Sequence, residues 1–428
     1  MKFYPTVNIL RNEKKELLKC LNSKSWSSFK GSLNGMDYQK ILRLSSLSAG
    51  KLKDLEVRFL GGKYVRKLES NVAKKFKVKY CVSANSATSC LHMALASLNV
   101  GPGDEVLVPS MSFNSTATSI LYVNAIPKFV EVKKDTFCID PNDMKKKITN
   151  KTKAIIVVHL GGNSAEMDKI LSISKKLRIP IIEDAAQAPG SRFKKKYLGT
   201  LGDIGILSLT ETKNITSGEG GLLLTNNQNY AMRSRLVRNH GEGVILDNLK
   251  KTDYENIIGM NYRLTELQSV IAIEQFAKLK KVNLLRKKNS DYLIKGLKKY
   301  HNILIPQKIE KKTEYYPYIL KFLWKGNHII KKENLIKKLN MSGIPFTAGY
   351  ERLMHENPIF SKMIAYKNGC PYFCSKNSRI PKKYGRGTLP ISESLNKDFI
   401  WFKFIHPPNK KIQMNYIISE FKKILGDI

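Results

Sequence analysis

Short apolar runs recur through the first half of the chain, and each stops at a polar or aromatic residue. Tyr80-Cys81-Val82 leads into Ser86-Ala87-Thr88-Ser89, and the segment from Asp104 to Pro109 leads to Phe113. Lys153 to Val158 ends at His159, and Ile179 to Ala186 carries Glu183 and Asp184 into Gln187 and the Pro189-Gly190 turn. A further run through Leu207 opens into Thr210-Glu211-Thr212-Lys213-Asn214, passes Gly218-Glu219-Gly220-Gly221 and becomes apolar again at Leu222. Runs of this length between turn residues predict buried strands. Leu91, Met93, Ala94, Leu95 and Leu98 predict a helix after Ser89, and Leu264, Leu267, Val270, Ile271, Phe276, Leu279, Val282 and Leu285 predict a long amphipathic one. Elsewhere the pattern predicts helices over Glu13 to Leu21, Lys332 to Met341 and Met414 to Leu425, and a strand over Tyr316 to Phe322.

Strands that all end in chemically useful groups have a physical meaning in an open parallel sheet. Their carboxyl ends lie along one edge, and ligands bind in the crevice outside it. A lysine in a Gly-flanked turn, an acid closing a strand, hydroxyls at a helix N-terminus and a flat aromatic residue thereby converge. Any one lysine is ordinarily a solvated surface charge, and only this company singles out Lys213. The four groups together suit pyridoxal phosphate. Its aldehyde takes a lysine, its ring nitrogen takes an acid, its phosphate takes N–H and hydroxyl donors at a helix start, and its ring takes an aromatic face.

The motifs also carry a family resemblance. Ser86-Ala87-Thr88-Ser89, Gly101-Pro102-Gly103-Asp104-Glu105-Val106, Glu183-Asp184-Ala185-Ala186-Gln187, Thr212-Lys213-Asn214 with Gly218-Glu219-Gly220-Gly221, Arg238-Asn239-His240-Gly241 and Asn261-Tyr262-Arg263-Leu264-Thr265-Glu266-Leu267-Gln268 occur in this order. In these the chain resembles the DegT/DnrJ/StrS-type pyridoxal-phosphate aminotransferases, from about Leu60 to about Leu285 and more weakly onward. The resemblance implies an α/β protein with the aspartate-aminotransferase-like fold type I. That fold has a mostly parallel seven-stranded sheet flanked by helices, with a smaller α+β C-terminal domain.

Carried over residue by residue, the resemblance makes Lys213 the Schiff-base lysine and Asp184 the partner of the ring nitrogen. Gln187 falls near the cofactor's phenolic oxygen, Phe113 stacks on the ring, and Thr88, Ser89 and Ser208 cradle the phosphate. Asn261 reaches the phosphate in a neighbouring subunit, which implies a homodimer, and Arg263 becomes a candidate for a substrate phosphate or carboxylate. Each assignment has an ordinary rival: Phe113 as core, Thr88 and Ser89 as helix caps, Asp184 as cap of a following turn, Asn261 as cap of the helix near Thr265, and Arg263 in an ion pair with Glu266. His159 and His92 are read as structural.

One branch of the family has histidine in place of the lysine and removes a hydroxyl, and Lys213 speaks against that chemistry. The resemblance implies a ping-pong amino transfer from glutamate or glutamine to a keto sugar, nucleotide-linked in the family pattern, with Lys213 shuttling the proton. A keto-cyclitol acceptor requires the same cofactor residues. Gly349-Tyr350-Glu351-Arg352 stands where sugar-nucleotide members often carry a histidine-tyrosine pair, so the acceptor is open.

Composition bounds this reading. The chain has 428 residues, 42% of them hydrophobic, enough for one large core and a smaller appendage. No run approaches the roughly 18 apolar residues that span a bilayer, and Met1 to Leu10 lacks a signal-peptide pattern, so a cytoplasmic enzyme without a membrane span is expected. The six cysteines are scattered, with only Cys370 and Cys374 close, and are expected to be reduced. No metal is expected.

The net charge of +39 favours anionic partners. Because Lys145-Lys146-Lys147, Lys194-Lys195-Lys196 and Lys331-Lys332 are dispersed and no recognition motif accompanies them, nucleic acid is not the expected main partner. A basic anion-binding protein on a repurposed fold is the reading from another class. The expected division is an N-terminal arm with an insertion (1–60), a large cofactor-binding domain (61–252), a linking helix (253–300) and a small C-terminal domain (301–428). The insertion-like stretch from Gly31 to Phe59 has two readings, a lid over the substrate or padding at a dimer surface.

Overall fold

A computed structural model describes residues 1–4, 11–26, 61–241 and 257–426. The 31–59 insertion and the expected boundary at residue 252 lie outside the described residues. Seven strands form the main sheet, in the order Tyr80–Ala84, Gly221–Thr225, Ile204–Ser208, Ile181–Asp184, Thr152–Val158, Glu105–Pro109 and Ile126–Val130. Gly221–Thr225 runs antiparallel to both neighbours, and the remaining pairings are parallel. Each predicted strand of the first half is present, within a few residues of its expected ends.

The near-continuous apolar character of these strands follows from burial on both faces. Alternate residues feed two separate cores. Cys81, Leu107, Ile155, Val157, Ile181 and Leu207 enter one, and Val82, Val106, Val108, Ile156, Ile182 and Ile206 enter the other. Helices Lys63–Phe76, Ala87–Ser97, Ser115–Tyr122, Met167–Leu177 and Gln228–Arg238 supply the flanking surfaces.

The long helix is capped by Thr265, whose capping-box partner is Gln268, and runs over 31 residues from Glu266 to Gly296, well past the last expected apolar position. Its inward face explains why the pattern fades there. Val270, Phe276 and Leu279 are buried in the first half, but Asn283, Arg286, Asn289 and Ser290 take those positions in the second. The N-terminal helix spans Arg11–Asn22.

A second, wholly antiparallel sheet has the order Leu304–Pro306, Leu320–Trp324, Phe399–Phe402 and Thr347–Ala348. Helices Lys332–Met341 and Lys411–Leu425 pack with it around Phe322, Trp324, Phe346, Phe402 and Phe421. The strand expected over Tyr316 to Phe322 instead spans Leu320–Trp324. The shift has a local cause: Pro317 lacks an N–H, and the N–H groups of Tyr316 and Tyr318 donate to Ser191 Oγ and the Gly161 carbonyl, 3.0 Å each. Residues 353–389 return to the large sheet, where Met354, Phe360, Tyr372 and Leu389 join its core.

All six cysteines are free. Among the described residues no helix is long and apolar enough to cross a membrane.

Candidate active site

Lys213 sits in the excursion between strands Ile204–Ser208 and Gly221–Thr225. The excursion is pinned from inside: Leu209 N–H donates to Gly220 O (2.8 Å), Ser217 N–H to Leu209 O (3.0 Å) and Lys213 N–H to Thr210 O (3.0 Å), while Leu209 and Ile215 are buried. Ser208 Oγ lies 3.1 Å from Thr210 Oγ1. Lys213 Nζ rests 4.5 Å from the centroid of the Tyr318 ring, whose hydroxyl is 3.1 Å from Thr212 Oγ1.

Asp184 closes its strand with 6% of its surface exposed. Its Oδ2 accepts from Thr116 Oγ1 (2.9 Å) and its Oδ1 from Ala186 N–H (3.2 Å). Burial raises its pKa, and Thr116, Ala186, Lys213 and His159 oppose the rise without cancelling it. The carboxyl thus sits within the electrostatic reach of the Lys213 amine. Thr116 is in turn 2.9 Å from Ser112 Oγ, next to Phe113. The cap reading of Asp184 holds in part, through Ala186, but leaves Thr116 unexplained.

Phe113 is 70% exposed, which rules out the core reading. A large ring held in the open beside a buried acid's hydroxyl partner is suited to a planar ligand.

At the neighbouring helix start, Ser86 is the cap, accepting from Ser89 N–H at 3.0 Å. Thr88 and Ser89 therefore lie inside the first turn, where N–H groups lack intrahelical acceptors. Ser89 Oγ donates to Asn85 Oδ1 (2.6 Å) and lies 2.9 Å from Ser86 Oγ. This turn abuts the lysine excursion: a Cβ on Gly221 would come within 2.3 Å of Ser86 O and 2.5 Å of Ala87 N, so only glycine allows that approach.

Gln187 Oε1 accepts from Gly161 N–H at 2.8 Å, fixing the amide beside the phenol of the half-buried Tyr350. Burial raises the Tyr350 pKa, with a further push from Tyr318 and Asp184. Tyr318 goes the other way: burial pushes it up, but Lys213, Thr212, Arg286 and Lys403 outweigh that and leave it below the ordinary phenol value.

Asn261 is exposed and bridges Asn239. Thr265, not Asn261, caps the long helix. This loop stands close to the phosphate-type cradle of its own chain, since Asn85 N–H donates to Tyr262 O at 2.8 Å. Arg263 Nη1 donates to Asn239 Oδ1 at 3.4 Å, and burial, then Arg238, lowers its pKa. The Glu266 carboxylate named in its rival reading accepts from the N–H groups of Tyr64 (2.8 Å) and Val65 (3.0 Å), capping the Lys63–Phe76 helix.

Both histidines are structural in geometry. His159 Nε2 meets Glu183 Oε2 at 2.9 Å and its Nδ1 accepts from Ala165 N–H at 3.3 Å. His92 Nδ1 lies 3.0 Å from the Tyr262 hydroxyl.

Sequence reasoning missed three residues, and it named Tyr350 only as part of the segment Gly349-Tyr350-Glu351-Arg352. Tyr318 comes from the C-terminal half and carries no motif. Asn283 and Arg286 sit on the long helix: Asn283 joins Asn214 (2.9 Å) to the Pro189 carbonyl (2.8 Å), and Arg286 Nε donates to Pro317 O (2.8 Å). The one available signal was polar residues breaking the helix's apolar stripe. Taken together, an amine, a buried acid in its field, an open aromatic ring and a helix start rich in hydroxyls are the donor set that pyridoxal phosphate requires, and they fit that group.

Comparison with known proteins agrees. Residues 53–380 match the model of the DegT/DnrJ/EryC1/StrS aminotransferase family. A pleiotropic regulatory protein of Geobacillus stearothermophilus is 33% identical over 85% of this chain and 90% of its own length. A GDP-perosamine synthase of Escherichia coli O157:H7 is 37% identical over 50% of this chain and 57% of its own. An L-glutamine:2-deoxy-scyllo-inosose aminotransferase of Streptoalloteichus tenebrarius is 36% identical over 50% and 52%. In fold, an aminotransferase structure from Psychrobacter cryohalolentis covers 100% of both chains at a TM-score of 0.79 and 23% identity.

Proposed function

Because this chain belongs to the DegT/DnrJ/EryC1/StrS aminotransferase family and is a pyridoxal-phosphate-dependent enzyme, we propose that it moves an amino group from glutamate or glutamine to a nucleotide-linked keto sugar. The observation that carries the reading is that the buried Asp184 closes one strand while Lys213 follows the end of the strand paired parallel beside it, so acid and amine share one sheet edge. When bound, pyridoxal phosphate supplies an aldehyde and an electron-withdrawing ring that stabilises charge on the carbon losing its proton.

In this reading the chain's own groups do the rest. Lys213 Nζ would hold the aldehyde, and as a free amine it would move the proton that the transfer requires. Asp184, oriented by Thr116 and Ala186, would hold the ring nitrogen, and Gln187 would hold the phenolic oxygen. Phe113 offers its open face to the ring, and Thr88, Ser89 and Ser208 with the Ala87–Ser97 helix start hold the phosphate. Asn261 serves the phosphate in a second copy, so the working unit is a homodimer, and Arg263 receives an anionic substrate group.

The GDP-perosamine synthase relative supports the nucleotide-linked acceptor. The inosose aminotransferase relative favours a second reading, a keto-cyclitol acceptor. Incubating the protein with pyridoxal phosphate and recording its absorption with and without glutamate, beside Lys213→Ala, tests the assignment. A band near the visible edge that glutamate shifts, lacking its covalent form in the variant, is expected. Product formation from nucleotide-linked keto sugars but not from keto-cyclitols then supports the first acceptor, and the reverse supports the second.

A further inference from the structure

Lys213 must leave the cofactor and return to it in every cycle of the proposed reaction. Its side chain has four rotatable bonds, and once released it has many directions to take. What the released amine meets is therefore part of the chemistry, and in this structure it meets the face of Tyr318, with Nζ 4.5 Å from the ring centroid. That distance is within the range of cation–π attraction while the amine carries its proton, and an N–H can point at the ring face when it does not.

The ring is held unusually firmly for a residue outside regular structure. Its hydroxyl is 3.1 Å from Thr212 Oγ1, on the residue before the lysine. Tyr318 N–H donates to Gly161 O at 3.0 Å, tying it to the turn whose next contact is the Gln187 amide. Tyr318 O accepts from Arg286 Nη2, and Arg286 Nε takes the preceding carbonyl, Pro317 O, at 2.8 Å. Arg286 is itself buried, and burial lowers its pKa to about 10. A buried guanidinium spent on two successive carbonyls fixes the backbone of one tyrosine, and among the described residues the hydroxyl of that tyrosine hydrogen-bonds the lysine turn alone.

We infer that Tyr318 is the seat of the Lys213 amine: its ring keeps Nζ over the reaction zone whenever the amine is not covalently engaged, and its hydroxyl aligns the ring through Thr212. The inference rests on the reading of Lys213 as the lysine that bears the cofactor. It separates two parts of one side chain, since the ring is the seat and the hydroxyl only its tether.

Tyr318→Phe keeps the ring, and Tyr318→Leu removes it. The full chain, stripped of cofactor, is mixed with pyridoxal phosphate, quenched with borohydride at intervals and digested, and the label on Lys213 is followed by peptide mass. The rate and the apparent dissociation constant of the glutamate-driven absorption change are measured on the loaded protein. Tyr318→Phe is expected to stay within about threefold of wild type in both rates. Tyr318→Leu is expected to slow both by roughly 2- to 30-fold, with the apparent affinity for glutamate changing less than about twofold.

Equal rates for the Leu and Phe variants overturn the inference, and so does a loss confined to glutamate affinity. If the Leu variant has no cooperative thermal transition, Tyr318→Met takes its place with the same expected outcome. A wild type that takes no label on Lys213 overturns the reading beneath as well, whereas a labelled wild type with unaffected variants overturns the seat alone.

Discussion

Replacing Asn283 by alanine should loosen the two loops on which the site depends. Asn283 is 1% exposed, accepts from Asn214 Nδ2 at 2.9 Å and donates to the Pro189 carbonyl at 2.8 Å. Its two partners follow Lys213 directly and Gln187 by two residues, so one amide joins the lysine excursion to the segment after Asp184. The fit is close, since a Cβ on Gly190 would stand 2.6 Å from Asn283 Nδ2.

The substitution removes two hydrogen bonds and strands a donor on Asn214 and an acceptor on Pro189, each in a buried setting. Stranding a buried polar group costs about 1–3 kcal/mol, so the pair gives about 2–6 kcal/mol, at or above the upper end of ordinary point substitutions. Urea unfolding of wild type, Asn283→Ala, Asn214→Ala and the double variant measures this directly. A coupling of about 0.5–3 kcal/mol between the two sites is expected for groups in contact. A cost below about 0.5 kcal/mol for Asn283→Ala, or a coupling of zero, refutes the argument that this amide joins the loops.

Three further outcomes follow from the geometry. Phe113→Ala should change the stability of the cofactor-free chain by less than about 0.5 kcal/mol, as at an ordinary surface site, yet weaken retention of pyridoxal phosphate in dialysis; equal retention rejects the stacking role. Asp184 has a folded pKa raised by burial, so it binds its proton more tightly folded than unfolded, and stability falls as pH rises from its ordinary value through the raised one. Asp184→Asn in the cofactor-free chain should therefore gain stability at neutral pH, lose that gain as pH falls toward 4 in urea titrations, and cut amino transfer by roughly 100-fold or more. Burial depresses His92 and His406 to about 4, so both are neutral when folded. Their contribution is complete above the ordinary histidine value near 6.5 and is lost as pH falls toward 4. His92→Gln should flatten the acid unfolding curve across that window, and an unchanged curve contradicts the assigned burial effect.

Much of the site was legible because its residues lie at strand ends. A buried strand of a parallel sheet must be apolar on both faces, so Glu183-Asp184 after Ile181-Ile182, or Lys213 after Leu207 and Leu209, stand out in one dimension as abrupt polar endings. The helix start at Ser86 was equally local, although which hydroxyl caps it was not: Ser86 takes Ser89 N–H, leaving Thr88 and Ser89 within the turn. The strand near Tyr316 was misplaced because its backbone N–H groups answer to Ser191 and Gly161 rather than to a ladder.

Sequence by itself determined the alternation of strand and helix, the strand ends that carry Lys213, Asp184 and Phe113, and the family. It determined them because the burial of a sheet and the capping of a helix are written in neighbouring residues. Only the tertiary structure decided what surrounds the amine. Tyr318 meets Lys213 across 105 positions, and Asn283 and Arg286 spend buried polar groups on loops far away in the chain. No local pattern records such contacts, because a side chain that satisfies a distant backbone group looks in sequence like a flaw in an apolar stripe.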